Sequence, residues 1–392
     1  MLSMCRLFAD DNSLQQSSYN MLEIEYKLNY DLHILEKWSN KWLLKFNPSK
    51  TKAVYFSKKD NSILPKLFFQ GDRLECVPVH RHLGLLLSHN LSWSLYIDSI
   101  VDKSFKKLGL LKRLKFKIGR KHLSKLYIAF IRPTLEYASI VWDGCSVHDT
   151  DKPEKVQLRA ARIVTGLPIF ASRESLYSET GWLTLKSRRY IAKMTTMFKI
   201  CYGSAPDYLN EIIPYKHENI SLYNTRNNDK FYIPKCRLEL FKKSFVPDSV
   251  KQWNLLNVET REAISINSFR KNIITDITIP PSYYSFGKRY INIIHTKLRY
   301  NCILNYDLYK LNITNSPFCT CGHTNEDIYH FFFACKNYSR ARNDLFNRLF
   351  MLDLVNIDTK LLLCGDVNLP LQTNITIFSV VHKFIEETCR FV

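Results

Sequence analysis

Residues 1–14 read MLSMCRLFADDNSL, and this stretch decides which kind of fold to expect. The apolar run through Phe8 predicts a β-strand, and the paired carboxylates Asp10 and Asp11 lie where that strand turns. A two-stranded hairpin is marginally stable by itself in water, so it needs further strands or a helix against which to lie. Adjacent aspartates also occur as ordinary turn or capping residues, which is the simpler interpretation of the pair.

The residues that follow alternate between helix and short strands. A spacing of three and four predicts a helix with one buried face, which consists of Met21, Ile24, Leu28, Leu32, Leu35, Trp38 and Trp42. Further strands are predicted over residues 53–56, 67–69 and 82–87. Residues 1–92 are therefore expected to form a partial layer of an α+β fold.

From residue 93 onward the pattern is mainly helical. Residues 93–214 predict a helical region, residues 215–290 an irregular connecting region with short elements, and residues 291–392 a C-terminal region. Within the helical region, we expect a helix over residues 123–131 that is broken at Pro133. Another helix is expected over residues 156–164, with Gly166 as its C-terminal stop.

Charge narrows the classes of function. Lysine and arginine outnumber aspartate and glutamate by 56 to 36, which gives a net charge of +20. Such a surplus favours an acidic partner, of which nucleic acid is the commonest and a membrane surface the alternative. No apolar run approaches the roughly 18 residues needed to span a bilayer, so we expect no membrane partner. The 11 cysteines predict reduced thiols rather than a disulfide framework.

One segment concentrates the positive charge. Residues 101–121 contain a single acid, Asp102, and nine cations: Lys103, Lys106, Lys107, Lys112, Arg113, Lys115, Lys117, Arg120 and Lys121. A solvated helix face is the usual explanation of a charge run, but the acids that intersperse such a face are missing here. The segment therefore predicts contact with the phosphates of a nucleic acid.

The C-terminal region carries the pattern C-x-C-x8-H-x4-C, formed by Cys319, Cys321, His330 and Cys335. Three thiolates and one imidazole complete a tetrahedral structural zinc site with no position open for catalysis. His323 is an alternative ligand, and three buried cysteines with a core histidine are the alternative to a metal. The compact spacing and the glycine turn at Gly322 favour Zn2+.

Segments in order along the chain resemble the reverse transcriptases, or RNA-directed DNA polymerases, of non-LTR retrotransposons of the jockey type. The first segment is similar to the FADD/YADD motif of these enzymes. The matching residues are 8–13 (FADDNS), 38–42 (WSNKW), 46–52 (FNPSKTK), 54–57 (VYFS), 82–85 (HLGL), 131–138 (IRPTLEYA), 141–142 (VW), 157–166 (QLRAARIVTG) and 361–365 (LLLCG).

The resemblance implies a role for each region. Residues 1–92 would be part of the palm, with residues 82–85 as the primer-grip hairpin, and the basic helix would belong to the thumb. Asp10 and Asp11 match the palm carboxylates that bind catalytic Mg2+, and the Cys/His segment matches that of the same enzymes. Lys50 is similar in position to a lysine that assists the pyrophosphate leaving group, although a surface lysine in a turn fits equally well. The implied partners are an RNA template and a DNA primer, and the implied location is the nucleus.

The departure from the family pattern affects the expected activity. These enzymes carry a further metal-binding aspartate on an earlier palm strand, and no segment of this sequence matches it. We therefore expect a polymerase fragment, from a truncated copy or a misassigned start codon, with little or no activity alone. A non-catalytic nucleic-acid-binding module is the alternative function. A host structural protein with chance motifs is disfavoured, because the matches follow the order of the family.

Overall fold

The computed structural model describes residues 1–47, 49–57, 64–216, 229–274, 278–322, 324–354 and 356–391. It divides into two compact units, Met1–Ser99 and Ile100–Val392. All 11 cysteines are free thiols. Among the described residues, no helix combines the length and apolar character that crossing a membrane requires.

The first unit combines one long helix with short strands. Its elements are β1 (Met4–Phe8), β2 (Asp11–Gln15), α1 (Met21–Trp42), β3 (Lys52–Ala53), β4 (Phe68–Phe69), β5 (Asp72–Arg73), β6 (Glu75–Cys76), β7 (Val79–His82), β8 (Leu85–Ser88) and the start of α2 (Ser94–Leu114). This mixture agrees with the α+β class. The described strands pair as four separate two-stranded ladders. Three ladders are antiparallel, and β3 pairs with β6 in parallel.

Helix α1 forms as its apolar period predicts. The Asn20 side chain accepts a hydrogen bond from the backbone N–H of Leu22 and caps the first turn. Leu32 packs into the core of this unit with Leu67, Phe69 and Leu74. The predicted buried face is too long, however, since Trp38 and Trp42 are 45% and 61% exposed. The core cluster reaches α1 only as far as Leu35, so the last turns of the helix lie outside it.

The second unit is helical. Its elements are α3 (Arg120–Leu126), a π-helical turn (Tyr127–Ile131), α4 (Arg132–Glu136), α5 (Ser139–Trp142), α6 (Val147–Thr165), α7 (Arg173–Thr180), α8 (Leu185–Cys201), a 3-10 turn (Asp207–Ile212), α9 (Glu239–Lys242), α10 (Phe245–Asn254), α11 (Val258–Arg261), α12 (Ile266–Ile273), a 3-10 turn (Ser282–Ser285), α13 (Arg289–Arg299), α14 (Asn305–Lys310), a second π-helical turn (His330–Ala334), a 3-10 turn (Lys336–Tyr338), α15 (Ser339–Phe350), α16 (Thr359–Cys364) and α17 (Leu371–Glu387).

Two proline-containing helices, α4 and α6, differ from the helices expected from the sequence. Pro133 does not break a helix but lies in the first turn of α4, where its missing N–H costs no intrahelical bond. Helix α6 begins at Val147 rather than at residue 156 and contains Pro153. Its C-terminal stop is as expected, with Gly166 at a φ of +78°. A Cβ at Gly166 would also lie 2.6 Å from Ile293 Cγ1.

Two hydrophobic cores organise this unit. In one, Met197 and Phe198 of α8 pack against Trp253 of α10 and Phe269 of α12. Residues 229–274 supply five of the eight buried residues of this core, namely Phe231, Val250, Trp253, Ala263 and Phe269. The other core gathers α13, α15, α16 and α17 around Phe331 and Phe332. It surrounds the Cys/His segment and holds that segment in place.

Candidate metal centre and nucleic-acid interface

The Cys/His segment is brought together by two local structures. Cys319 and Cys321 lie in a tight loop closed by an isolated antiparallel bridge between Phe318 and Asn325. Within that loop, the Gly322 N–H donates to the Cys319 carbonyl at 2.9 Å. Gly322 has a φ of +79°, which a residue with a Cβ adopts only at a cost. The loop geometry therefore depends on this glycine.

The other two side chains come from a helical turn. His330 begins the second π-helical turn and Cys335 follows its last residue, with the Cys335 N–H donating to the His330 carbonyl at 2.8 Å. The ligand atoms of Cys319, Cys321, His330 and Cys335 all lie within 4.8 Å of one another. His323, the alternative ligand, lies outside the described residues. The structure thus unites all four residues of the predicted set.

The spacing of these atoms fits one tetrahedral ion. Cys319 Sγ lies 3.6 Å from Cys335 Sγ, and Cys321 Sγ lies 3.4 Å from His330 Nε2. With Zn–S near 2.3 Å and Zn–N near 2.05 Å, a tetrahedron has edges of about 3.8 Å between sulfurs and about 3.6 Å between sulfur and nitrogen. Two spacings thus match a tetrahedral zinc site, and the cluster could hold a metal ion.

The histidine is oriented by its neighbours. Thr324 Oγ1 lies 2.7 Å from His330 Nδ1, which leaves Nε2 directed at the cysteines. Metal-binding histidines are commonly fixed through their second nitrogen in this way. Burial lowers the pKa of His330, so the imidazole is neutral and Nε2 can act as a ligand. Burial, with a smaller contribution from the neighbouring Cys319, raises the pKa of the Cys335 thiol to about 12.

The aspartate pair lies at a hairpin turn, as predicted. Ala9 and Asp10 connect β1 to β2, and Asp11 is the first residue of β2, paired with Phe8. Both carboxylate residues are exposed. Within the described ranges, the Cys/His set is the one group of three or more potential ligands close enough to share an ion. The described residues alone therefore do not build a Mg2+ site around Asp10 and Asp11.

A second hairpin lies near this pair. β7 and β8 are joined by Leu83 and Gly84, both with positive φ, so residues 82–85 do form a hairpin turn. Burial lowers the pKa of His80 on β7, and the charge of Asp11 acts in the opposite direction. This influence shows that the carboxylate lies within electrostatic range of the hairpin.

Lys50 lies in an exposed turn in which its backbone N–H donates to the Asn47 side chain at 3.3 Å.

The basic segment presents most, but not all, of its nine cations to solvent. Six are exposed: Lys103, Lys106, Lys112, Arg113, Lys117 and Lys121. Lys103, Lys106 and Arg113 share one face of α2, because positions i, i+3 and i+10 fall within a narrow arc of a helix. The opposite face is buried through Ile100, Leu108 and Leu111. This face of α2 can approach a polyanion.

Three of the nine cations interact within the protein instead. Arg120 is buried and pairs with Glu179, so its prediction as a nucleic-acid contact is wrong. Lys107 donates to the Phe130 carbonyl at 3.0 Å and to Thr134 Oγ1 at 2.6 Å. The Lys115 ammonium lies 4.4 Å from the ring centre of Phe116 and is half-buried. Charge counting cannot detect Glu179, Phe130 and Thr134, because these partners lie on other elements.

Sequence analysis also missed three arginines on neighbouring helices. Arg159 and Arg162 lie on α6 and Arg173 begins α7. They do not form a local run of charge along the sequence. The tertiary structure brings Arg159 and Arg173 within electrostatic range of Arg162. An i, i+3 pair of arginines on α6 was the one sequence signal that could have indicated them.

Comparison with known proteins identifies a class of relatives, the RNA-directed DNA polymerases of mobile elements. The chain is 23% identical over 188 residues to a probable RNA-directed DNA polymerase from transposon BS of Drosophila melanogaster, which is 46% of this chain and 20% of that protein. It is 24% identical over 165 residues to the polymerase from mobile element jockey of Drosophila funebris, which is 41% of this chain and 18% of that protein. The chain is also 24% identical over 189 residues to the probable RNA-directed DNA polymerase from transposon X-element of Drosophila melanogaster, which is 47% of this chain and 20% of that protein.

These matches confirm the resemblance to polymerases of non-LTR retrotransposons. The matched part spans about a fifth of the length of each curated relative. No protein-family model matches the chain. No solved structure matches it either.

Proposed function

We propose that this chain is part of the RNA-directed DNA polymerase of a non-LTR mobile element and that its own residues bind the nucleic acid. The similarity to three polymerases of mobile elements supports the first half of the proposal. The exposed cation face of α2, with Lys103, Lys106 and Arg113, carries the second half. An RNA template and a DNA primer are the partners, and the nucleus is the place of action.

The face of α2 would bind through phosphates rather than bases. Lysine and arginine on a solvent-facing helix reach the backbone of a nucleic acid and release its counterions, which gives affinity without sequence preference. The single acid of the segment, Asp102, does not neutralise the face. Binding should therefore weaken steeply as salt rises.

Nucleotidyl transfer is not assigned to the chain acting alone. Phosphoryl transfer to a growing strand uses divalent ions held by clustered carboxylates. Asp10 and Asp11 are the residues that would contribute to such a cluster, but the described residues supply no third ligand beside them. A non-catalytic binding module is accordingly the second candidate function, favoured by this exposed and incomplete pair.

The Cys/His cluster has a structural role in the proposal. Cys319, Cys321, His330 and Cys335 would hold Zn2+, which would join the loop of residues 318–325 to the π-helical turn. With three thiolates and an imidazole there is no open coordination position, so the ion would stabilise the C-terminal core without taking part in a reaction.

The test is a binding measurement on the whole chain. Fluorescence anisotropy of a labelled single-stranded RNA would be followed as salt is raised, for the wild type and for a Lys103→Gln, Lys106→Gln, Arg113→Gln variant. The slope of log K against log salt is negative, and each lost phosphate contact reduces its magnitude by about 0.7. The variant should therefore show a slope that is smaller in magnitude by about 2. A Lys251→Gln, Lys271→Gln, Lys360→Gln variant removes the same charge from exposed positions on α10, α12 and α16. Equal losses in both variants would contradict the proposal.

A further inference from the structure

We propose that Arg159, Arg162 and Arg173 form a second phosphodiester-binding site, separate from the exposed face of α2. This inference deepens the proposed function and rests on it, because it adds a contact for the same class of ligand. The site lies where α6 approaches α2 on one side and the start of α7 on the other. Arg159 and Arg162 lie within residues 157–166, which sequence analysis did not assign to nucleic-acid binding.

The position of the site follows from helix geometry and one contact. Arg159 and Arg162 are three residues apart on α6 and therefore share a face. The Arg159 guanidinium carbon lies 4.7 Å from the ring centre of Phe105, which belongs to α2. This cation–π contact holds the Arg159 guanidinium against α2. The exposed Lys112 follows Phe105 by two helical turns on the same side of α2 and adds a further cation on that side.

Arg162 lies within electrostatic range of the other two guanidiniums. Burial lowers the pKa of Arg162, and the charges of Arg159 and Arg173 lower it further. Within the described ranges, none of the three arginines forms an ion pair with a carboxylate. Glu174 is the acid beside Arg173, but its carboxylate bonds first with its own backbone and with Ser172. The three arginines thus keep a net positive charge, of which the adjacent Glu174 offsets only a part.

Arg162 also has a donor to spare. One terminal nitrogen donates to the Ile169 carbonyl at 3.1 Å, which fixes the guanidinium against the loop after α6. Its Nε is buried and has no hydrogen-bond partner among the described residues. Buried donors in folded proteins are nearly always paired, so this N–H is available to an acceptor from outside the chain.

The chemistry of these donors selects phosphodiester oxygens. Guanidinium groups present planar, paired N–H donors that match phosphate oxygens, and they keep their charge at every physiological pH. A polyanion with charges spaced along a strand can contact several of these arginines and Lys112 together. Nucleic acid is therefore favoured over an acidic peptide, whose carboxylates lie on flexible side chains.

The experiment uses the full chain and a fluorescein-labelled 20-nucleotide single-stranded RNA. A triple variant combines Arg159→Gln, Arg162→Gln and Arg173→Gln. Because Arg162 is half-buried, a double variant changes only the exposed Arg159 and Arg173 to glutamine. Circular dichroism checks that each is folded. Loss of three contacts should reduce the magnitude of the salt slope by about 2 and weaken binding about tenfold at physiological salt. In the double variant the magnitude of the slope should fall by about 1.4. The Lys251→Gln, Lys271→Gln, Lys360→Gln variant is the matched charge control.

The outcomes separate this site from the face of α2. If the arginine variants bind as the lysine control does while the α2 variant is weakened, this inference is overturned and the proposed function stands. If the arginine variants are weakened and the α2 variant is not, the arginine site is supported and the role of the α2 face is contradicted. Absence of RNA binding by the wild type, or stronger binding of a polyglutamate peptide than of RNA, would overturn the inference.

Discussion

At the scale of single residues, a buried carboxylate shows how the second unit uses its surplus of arginine. Glu179 of α7 is fully buried and accepts hydrogen bonds from Arg120 of α3 and Arg299 of α13. Burial by itself would raise the pKa of Glu179, but the two guanidiniums outweigh it and hold that pKa below its usual range. One carboxylate therefore compensates two buried cations from different helices.

The Glu179→Ala substitution should destabilise the protein strongly. It would leave Arg120 and Arg299 buried without a counter-charge, and breaking a buried pair from one side costs about 3–5 kcal/mol in the free energy of unfolding. Urea denaturation measures this cost. Asp344→Ala is the control, since Asp344 pairs with Arg348 and Lys383 at the surface and should change little. Equal losses for both variants would show that the buried network has no special importance.

A pair of buried histidines gives the molecule a pH dependence. His295 Nδ1 lies 3.0 Å from His382 Nε2, and His295 Nε2 lies 3.1 Å from the Leu363 carbonyl. Since that carbonyl only accepts, His295 Nε2 carries the proton and its Nδ1 accepts from His382. Burial lowers the pKa of His382 to about 4 and lowers that of His295 well below its usual value. Both rings are therefore neutral in the folded state.

Acid should destabilise the protein through this pair. Unfolded histidines take up protons near pH 6.5, while the folded rings resist protonation, so the unfolded state binds more protons between about pH 6.5 and pH 4. Stability is present above pH 6.5 and falls as the pH is lowered, by up to about 1.4 kcal/mol per pH unit for each histidine. Urea unfolding at several pH values measures the slope.

Variants assign this slope to the two rings. A His295→Gln, His382→Gln variant should lose much of the dependence between pH 6.5 and pH 4, whatever its stability at neutral pH. His148→Gln is the control, because His148 is exposed on α6 and should leave the slope unchanged. A slope that persists in the double variant would show that other groups govern the acid response.

At the scale of elements, the Cys/His segment combines two short structures that could not hold their shape alone. The loop around Cys319 is closed by short-range backbone hydrogen bonds such as Cys319 N–H to the Thr324 carbonyl, and the π-helical turn that starts at His330 is a single turn. Arg342 of α15 adds support by donating to the Phe332 carbonyl at 2.9 Å and to the Cys335 carbonyl. A shared ion would join the loop to the turn and to the core below them.

Metal analysis tests this arrangement. Purified protein should contain about one zinc ion per chain, and Cys335→Ser should reduce the zinc content to a small fraction because a buried thiolate ligand is lost. Removing zinc with a chelator should lower the melting temperature by several degrees, since binding energy contributes to folding. Cys389→Ser should keep its zinc, because Cys389 is an exposed cysteine outside the cluster. Equal zinc content in the two variants would contradict the assignment.

At the scale of the whole molecule, binding and catalysis should separate. The 392-residue chain should bind RNA but should not extend a DNA primer on an RNA template with Mg2+ and deoxynucleotides, because Asp10 and Asp11 have no third ligand in the described structure. Primer extension followed by gel electrophoresis is the measurement. An Asp10→Asn, Asp11→Asn variant should be indistinguishable from the wild type. Mg2+-dependent extension that disappears in this variant would show that a complete site forms.

The sequence predicted features that depend on neighbouring residues. The hairpin at Asp10 and Asp11 follows from strand and turn preferences, α1 follows from its apolar period, and the end of α6 follows from Gly166. The metal-ligand set could be predicted because the four residues lie within a short stretch of chain, so local turns are sufficient to bring them together. These are features in which each residue interacts with others a few positions away.

Only the tertiary structure decided which side chains remain available. Arg120 has the sequence context of an exposed cation, yet Glu179, 59 residues further along the chain, pairs with it in the interior. Trp38 and Trp42 have the spacing of buried residues, yet the core ends before them. Arg159 and Arg162 share a face of α6, but only the packing of α7 against α6 brings Arg173 within their electrostatic range. Burial and charge pairing depend on distant segments, and a local pattern contains no information about which distant segment will lie against it.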